Sequence, residues 1–423
     1  MKVTVLGGGS TYTPELIKGF IDISSVVMLD EVVLYDIPES SEKLNKVFTL
    51  AKRMMEKYGV SIRLKKTFEI SDALKDAEYV IFQFRPGFLE GRYRDESIPL
   101  KFNLIGQETT GMGGFAAALR AFPIIEKYVD AVARHSNATV INFTNPSGHI
   151  TEFVLNYLKF ERFIGLCNVP INIIRSIADL VGCKMEDIFL KYYGLNHLSF
   201  VERVYVKDED YTQKILGRID FSPANISLED FPRWLIDSIG LFPNPYLKYY
   251  LFRESALNKM KKNKTRAEEV MEIEKQLLDI YEDAQDIPDE LSKRGGSLYS
   301  TAAAHLIRDL KSGYGKVHIV NVRNEGAISN LPDDYVLEIP CYIKGGKPMP
   351  ISLGEGDEFA LAYIHTLKMY ERLTIEAYMK KSKKRAVKAI LAHPLGPGAE
   401  KARELLDTIL EENREWITLN NDF

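Results

Sequence analysis

The chain opens with the stretch KVTVLGGGSTYTPEL at residues 2–16. The β-branched and apolar residues of Lys2–Leu6 predict a buried strand, and the glycines after it predict a tight turn into a helix whose first turn contains Pro14. Backbone N–H groups at such a turn can hold a pyrophosphate. The second strand-like run ends at Asp36, where a carboxylate would face a ribose diol and disfavour the extra phosphate of NADP. We therefore predict NAD binding by Gly7, Gly8, Gly9, Ser10 and Asp36.

The glycine run has two interpretations. One is the NAD site, and the other is a tight strand-to-helix turn in which Asp36 caps a helix. Tyr12 stands where the usual fingerprint has its third glycine. The strand before the turn, the helix after it and the acid that ends the next strand favour the NAD site.

Strand-like and helix-like segments alternate from the start of the chain to about residue 170. Apolar runs rich in β-branched residues predict the strands Lys2–Leu6, Glu31–Tyr35, Tyr79–Phe84, Thr139–Asn142 and Phe163–Leu166. Apolar residues at three- and four-residue intervals predict the helices Ser41–Tyr58, Phe115–His135 and Ser147–Leu158. This alternation is typical of an α/β fold with a Rossmann-like, doubly wound parallel sheet that helices cover on both faces.

The pattern changes after residue 185. Longer strands are predicted within Ile188–Lys207 and Val317–Ile343, and helices within Asp357–Lys380 and Ala399–Ile417. We therefore expect an NAD-binding domain at residues 1–185 and an α+β domain for substrate binding and oligomerisation at residues 186–423. The expected architecture is that of the lactate and malate dehydrogenases.

The composition restricts the class of protein. Hydrophobic residues make up 45% of the 423-residue chain and charged residues 27%, with a formal net charge of −4, which is typical of a globular protein that binds neither nucleic acid nor membranes. We find no stretch of 18 apolar residues and no secretory signal pattern. The three widely spaced cysteines do not suit a disulfide framework. These features predict a cytoplasmic location.

Two further residues could bind a metal. Cys167 directly follows a predicted strand and His197 comes 30 residues later, so a thiolate and an imidazole could bind one divalent cation and leave positions open for substrate oxygens or water. The alternative is that both are ordinary core residues, which is the more frequent role of a single cysteine or histidine.

Six motifs together carry a family resemblance. They are Gly7-Gly8-Gly9-Ser10, Phe84-Arg85-Pro86-Gly87, Gly106-Gln107-Glu108-Thr109-Thr110-Gly111, Asn142-Phe143-Thr144-Asn145-Pro146-Ser147, Cys167-Asn168-Val169-Pro170 and Gly194-Leu195-Asn196-His197. In order and spacing, nearly from end to end, the chain resembles glycoside hydrolase family 4. The family's α-glycosidases have aspartate at the position of Asn168. With asparagine there, the chain resembles the 6-phospho-β-glucosidase branch of the family.

The resemblance implies an NAD-dependent mechanism without the paired carboxylates of most glycosidases. NAD⁺ takes a hydride from C3 of the sugar, a base removes the acidified C2 proton, and the aglycone leaves C1 by elimination. Water then adds and the hydride returns to C3. A divalent metal, usually Mn²⁺, binds the C2 and C3 oxygens, and Cys167 and His197 match its ligand positions.

The resemblance also assigns roles to individual side chains. Tyr246 matches the base, and Glu108 matches the residue that increases the basicity of this tyrosine. The matching substrate contacts are Arg85, Asn145, Asn168 and Arg266. The amide of Asn168 does not titrate near neutral pH, so it is no proton donor. The family also implies a homodimer or homotetramer.

Two other functions stay open at this stage. A malate- or lactate-type 2-hydroxy acid dehydrogenase shares the Rossmann start, an Asn-Pro after a strand and a catalytic histidine, although the aspartate partner of that histidine has no clear counterpart here. A non-catalytic NAD-sensing protein is the other alternative. Net formation of NADH would distinguish the dehydrogenase, and NAD binding without turnover would distinguish the sensor.

Overall fold

The computed structural model describes residues 1–216, 231–295, 298–313 and 315–423, with side chains at all of these except residues 299 and 300. The strands are β1 Lys2–Leu6, β2 Glu31–Tyr35, β3 Arg63–Thr67, β4 Tyr79–Phe82, β5 Thr139–Asn142, β6 Phe163–Gly165, β7 Ile188–Leu195, β8 Leu198–Val206, β9 Glu209–Asp210, β10 Phe242–Pro243, β11 Lys316–Arg323, β12 Val336–Lys344 and β13 Lys347–Pro350. The helices are α1 Thr13–Ile23, α2 Ser41–Lys57, α3 Ile70–Leu74, α4 Phe88–Lys101, α5 Gly111–His135, α6 Ser147–Glu152, α7 Val169–Val181, α8 Thr212–Leu216, α9 Arg233–Ile239, α10 Lys248–Leu251, α11 Arg253–Lys262, α12 Arg266–Ile280, α13 Tyr299–Ser312, α14 Glu358–Met379, α15 Lys383–Ala392 and α16 Ala399–Glu412.

In the described residues, nine strands form one sheet in the order β13-β12-β11-β6-β5-β4-β1-β2-β3. The six strands from β3 to β6 run parallel, and they have the doubly wound strand order of dinucleotide-binding folds. All side chains of β2 and β4 are buried, as expected for strands covered on both faces. The predicted Rossmann-like sheet is therefore confirmed.

The sheet extends beyond the half of the chain in which it starts. β11 pairs antiparallel with β6, and β12 and β13 continue the sheet from there. The strands predicted within Val317–Ile343, although they follow residue 185, therefore belong to the main sheet. A boundary at 185/186 divides the chain in sequence, while the main sheet includes strands from both sides of it.

One parallel strand escaped the sequence analysis. β3 has the sequence RLKKT, its side chains are exposed or partly exposed, and it forms the edge of the sheet beside β2. Charged side chains protect such an edge from pairing with other chains and hide the apolar pattern that marks a strand.

A second, four-stranded sheet contains a hairpin that matters for the site. β7 and β8 pair antiparallel, with Leu195 opposite Leu198, so Asn196 and His197 form a two-residue turn within the predicted strand region Ile188–Lys207. The predicted helix Ser147–Leu158 is α6 followed by a π-helical turn at Phe153–Tyr157. None of the helices in the described part of the chain has the length and apolar composition of a membrane span.

Candidate active site

The glycine turn packs tightly on the ends of its neighbouring strands. The backbone N–H groups of Gly7 and Gly8 both donate to the carbonyl oxygen of Tyr35, at 3.0 and 2.8 Å. A Cβ atom on Gly8 would lie 2.7 Å from Cβ of Leu34, so a larger residue would push the turn away from β2. The glycines thus let the start of α1 lie directly beside the end of β2.

Asp36 is held by the same turn. Its Oδ2 accepts a hydrogen bond of 2.7 Å from the backbone N–H of Gly9, and its Oδ1 accepts one of 2.9 Å from Ile37. Burial raises the pKa of this carboxyl, although both backbone donors oppose the shift. The carboxylate therefore stands at the end of β2, as predicted, and it also stabilises the turn.

A groove of about 310 Å³ runs along this edge of the sheet, and we call it the glycine-turn groove. Its lining includes Gly7, Gly9, Ser10, Asp36 and Lys43. Four of the five predicted NAD-binding residues thus share one groove. Gly8, the fifth, packs beneath the turn.

Cys167 and His197 meet although 29 residues separate them in the chain. The Sγ of Cys167, just after β6, lies 3.5 Å from Nε2 of His197 in the turn between β7 and β8. Nδ1 of the histidine lies 2.8 Å from Oγ1 of Thr109, which orients the ring. Burial lowers the pKa of His197 to about 4, so the imidazole is neutral near pH 7 and free to ligate a metal.

Cys167 and His197 would supply two protein ligands to a metal ion at this position. Among the residues that the structure describes, no group of three or more His, Cys, Asp or Glu side chains is arranged to hold a metal ion. A cation bound by Cys167 and His197 would therefore take its other ligands from substrate or water, which is the open coordination of a catalytic site.

Tyr246 lies directly against the histidine. The two rings stack with centroids 3.9 Å apart and an angle of 3° between their planes. Tyr246 is in the short 3-10 helix Pro245–Leu247, which Asn244 caps by accepting a 3.0 Å hydrogen bond from the Tyr246 backbone N–H. Burial raises the pKa of the Tyr246 phenol well above its usual value, and the charge of Glu108 raises it further.

Glu108 is paired with two arginines. Arg85 donates to one carboxylate oxygen, and Nη2 of Arg92 lies 3.2 Å from the other. Burial alone would raise the pKa of Glu108, but these two guanidinium groups lower it to about 2. Glu108 is therefore a permanent anion near Tyr246.

The sequence analysis missed Arg92. Its Nε also donates to Glu96, 2.7 Å away, and Glu96 in turn accepts a 2.8 Å hydrogen bond from the backbone N–H of Ala267 at the start of α12. Arg92 thus links the catalytic candidate Glu108 to the helix that carries Arg266. The spacing of Arg92 and Glu96 by four residues within α4 was the available signal, but such pairs also occur on solvated helices.

A second cavity, of about 1230 Å³, contains most of the predicted site. We call it the Cys–His cavity because His197 lines it, while Cys167 is buried beside that histidine and is not a lining residue. The predicted site residues that line it are Arg85, Glu108, Asn145, Asn168, His197, Tyr246 and Arg266. Further cations on its wall are Arg92, Lys248, Lys259, Lys264, Lys293 and Arg294. This excess of positive charge favours an anionic ligand.

Arg266 lines the cavity, but its guanidinium is engaged. Nη1 pairs with Glu269 at 2.7 Å, and Nη2 donates to the carbonyl oxygens of Lys293 and Arg294 at 2.8 and 3.0 Å. In this structure the side chain holds the backbone of a neighbouring segment.

The two cavities meet. Tyr12, Arg85, Asn145 and Arg294 line both of them. A ligand in the glycine-turn groove and a ligand in the Cys–His cavity would therefore lie next to each other, as a transfer reaction between them requires.

A buried polar network connects this site to β12. Glu338 accepts hydrogen bonds from Tyr192 and, at 3.0 Å, from Asn196 of the hairpin turn. The hydroxyl of Tyr192 lies 2.5 Å from that of Ser199, which accepts a 2.9 Å hydrogen bond from Asn244. One carboxylate in the main sheet thus contacts the residue before the stacked histidine and, through two hydroxyls, the residue that caps the stacked tyrosine.

Comparison with known proteins identifies the family to which the chain belongs. The model of the family 4 glycosyl hydrolases matches residues 2–183, and the model of the family 4 C-terminal domain matches residues 192–396. The chain belongs to family 4 of the glycosyl hydrolases. The resemblance of the six motifs is thereby confirmed.

Individual relatives agree with this assignment. The chain is 60% identical to the 6-phospho-β-glucosidase BglT of Thermotoga maritima over 99% of this chain and 100% of that protein. A solved structure of the 6-phospho-β-glucosidase from T. maritima with manganese, NAD⁺ and glucose 6-phosphate has a TM-score of 0.94 and 58% identity, and the match covers 99% of this chain and all of that one. A lactate dehydrogenase from a deep-sea metagenome library, at 13% identity and a TM-score of 0.56 over 89% and 98% of the two chains, confirms the expected likeness of fold.

Proposed function

We propose that this protein hydrolyses 6-phospho-β-glucosides by NAD-dependent oxidation at C3, C2 deprotonation, elimination of the aglycone, water addition and re-reduction. One observation carries the proposal: the glycine-turn groove and the Cys–His cavity share four lining residues. A dinucleotide and a sugar would therefore be side by side. The full-length match to a 6-phospho-β-glucosidase supports the sugar class.

The residues present fit the two groups that such chemistry needs. Gly7, Gly9, Ser10 and the carboxylate of Asp36, which line the glycine-turn groove, would hold NAD, and Cys167 with neutral His197 would hold a divalent cation, for which we propose Mn²⁺. When bound, NAD⁺ supplies a reversible hydride acceptor for C3 and the cation supplies a Lewis acid at the C2 and C3 oxygens. A thiolate also suits softer metals, so the proposed metal needs a direct affinity comparison.

The chain's own base is Tyr246. Its phenolate would take the C2 proton, after which the C1–O bond to the aglycone breaks and water adds at C1. Burial and the charge of Glu108 both raise the pKa of the Tyr246 phenol. A higher pKa makes the phenolate a stronger base, but it also lowers the fraction of the phenol that is ionised. The positive charge of Arg92 acts in the opposite direction and lowers this pKa. The surrounding charges thus adjust both the strength of the base and the fraction that is ionised.

The substrate contacts follow from the cavity wall. Arg85 and Asn145 stand where the two cavities meet, so we assign both to the sugar beside the dinucleotide. Asn168 lines the Cys–His cavity, and we assign it to substrate binding because its amide cannot donate a catalytic proton. The cationic wall suits a sugar phosphate.

The decisive assay uses reduced protein and 4-nitrophenyl β-glucoside 6-phosphate, with and without NAD⁺ and Mn²⁺. We expect release of 4-nitrophenol that needs both additions, shows a rate effect of deuterium at C2 and accumulates no NADH. Tyr246→Phe should retain NAD⁺ binding and lose cleavage and C2 exchange. Cleavage that does not need NAD⁺ would overturn the mechanism, and stoichiometric NADH would indicate the dehydrogenase instead.

The domain division, the cellular location and the oligomeric state are proposals as well. The family models meet near residue 185, which supports the division into an NAD-binding domain at 1–185 and a substrate-binding domain at 186–423. We also propose a cytoplasmic location and a homodimer or homotetramer, on the family resemblance. Light scattering during size-exclusion chromatography tests the oligomer directly.

A further inference from the structure

Arg294 lies where the two cavities meet, and no sequence motif pointed to it. It is the last residue of the 3-10 helix Asp289–Arg294, and its guanidinium lies 4.3 Å from the ring centroid of Tyr12. Nη2 is 3.3 Å from a carboxylate oxygen of Glu274, which also pairs with Lys43. The side chain is 9% exposed, so this is a buried cation in the wall of both cavities.

Most of its hydrogen-bonding capacity is unused. Among the described residues, neither Nε nor Nη1 of Arg294 has a hydrogen-bond partner, and both atoms are buried. Arg120, another buried arginine, shows the usual situation, since its three nitrogens donate to Pro86, Asp95 and Asn413. A buried donor without a partner is destabilising, so natural proteins rarely leave one unless a ligand or an ordered water completes it.

The surroundings indicate the charge of that ligand. Lys43, Glu274 and Arg294 form a row with two positive charges and one negative charge. The charged guanidinium of arginine donates strong hydrogen bonds to phosphate oxygens. Arg266 cannot serve in the same way here, because its Nη2 is bound to the backbone carbonyls of Lys293 and Arg294. Arg266 thus supports the segment that carries Arg294.

We propose that Arg294 is a phosphate-binding residue, and that one of its unpartnered donors, Nε or Nη1, binds a phosphate oxyanion at the junction of the glycine-turn groove and the Cys–His cavity. The inference rests on the proposed function, because that function brings two phosphates to this junction. They are the pyrophosphate of NAD and the 6-phosphate of the sugar. The proximity of Tyr12 to the glycine turn is compatible with the first, and the lining of the Cys–His cavity with the second.

The test measures binding to the full-length protein by isothermal titration calorimetry, with NAD⁺ and then with glucose 6-phosphate on the NAD⁺-saturated protein. Arg294→Met keeps the aliphatic stem over Tyr12 and removes the donors. We expect the affinity for one phosphate ligand to fall roughly 10- to 100-fold, as loss of a charge-assisted hydrogen bond implies. Loss for NAD⁺ would assign the pyrophosphate, and loss for glucose 6-phosphate alone would assign the sugar phosphate.

Two controls separate binding from folding and charge. Arg134→Met removes an equal charge from a side chain that is 71% exposed, and it should leave both affinities unchanged. The melting temperature of unliganded Arg294→Met should stay the same or rise, because the variant removes unpaired buried donors while Glu274 keeps Lys43. Arg294→Lys should recover part of the affinity.

The outcomes are distinct. Unchanged affinity for both ligands in Arg294→Met would overturn the inference and leave the proposed function intact. A melting temperature several degrees lower, with both affinities reduced equally, would make Arg294 a structural residue and also overturn it. Failure of the unaltered protein to bind either ligand would overturn the proposed function together with the inference.

Discussion

The pairing of Arg92 with two buried carboxylates gives the most quantitative prediction. Arg92→Met leaves Glu108 with Arg85 alone and removes the ion pair to Glu96. The fall in the pKa of Glu108 from 4.5 to about 2, which Arg85 and Arg92 cause together, corresponds to about 3 kcal/mol of stability at neutral pH, and Arg92 accounts for part of it. Breaking a buried ion pair on one side costs about 3–5 kcal/mol in general. We expect the free energy of unfolding to fall by an amount in that range at pH 7.

The pH dependence follows from the direction of the shift. Because the folded pKa of Glu108 lies below its ordinary value, its stabilising contribution is present above about pH 4.5 and is lost as the pH falls towards 2. Arg92→Met weakens that contribution. The difference between the two proteins should therefore be largest at neutral pH, change little down to about pH 4, and narrow as the pH falls from about 4 towards 2.

Urea unfolding at about pH 7, 4 and 2.5 measures both effects. Arg233→Met is the matched control, because Arg233 pairs with Asp237 at 2.7 Å on an exposed helix and should contribute less than about 1 kcal/mol. Adding Glu108→Gln to Arg92→Met should recover part of the stability, since it neutralises the carboxylate left behind. A cost below about 1 kcal/mol at pH 7, or a cost that does not narrow between about pH 4 and 2.5, would refute the reasoning.

Three further variants test other parts of the site. A Cβ on Gly9 would lie 2.9 Å from Oδ2 of Asp36, so Gly9→Ala should weaken NAD⁺ binding in calorimetry roughly 10- to 100-fold, and an unchanged affinity would contradict this account of the turn. Glu338→Gln should lower Mn²⁺ affinity roughly tenfold or more in paramagnetic resonance titrations while the circular dichroism is retained, because it loosens the support of the hairpin turn; equal Mn²⁺ affinity would contradict it. Cys167→Ser should weaken Mn²⁺ binding and Cys183→Ser should not, and equal behaviour of the two would exclude the thiolate as a ligand.

The sheet could be predicted largely because its central strands are buried on both faces. β1, β2 and β5 have the predicted bounds, and their runs of apolar residues carry the signal. β3 was missed because an edge strand with lysines lacks that signal. The pairing of β6 with β11 was missed because no local pattern reports a contact between such distant segments.

Some residues of the candidate site could likewise be predicted from the sequence and others could not. Residues in family motifs, such as Glu108 and His197, were found and lie in one cavity. Arg92 was missed because its role depends on its ion pair with Glu108, and Arg294 because its role depends on nitrogens that lack a partner. Neither property can be recognised before the chain is folded. Arg266 was assigned to substrate binding by the family resemblance, but the direction of its donors depends on the neighbouring backbone.

The antiparallel pairing of β11 with β6 affects how the sheet can form while the chain is being synthesised. About 150 residues of chain separate β6 from β11, the strand that covers its edge. At typical rates of translation, the ribosome needs roughly 8 to 30 s to make that length. During this interval the nascent parallel sheet has an open edge, to which another chain could add a strand. Because β6 is only three residues long, Phe163–Gly165, the length of backbone open to such pairing is small.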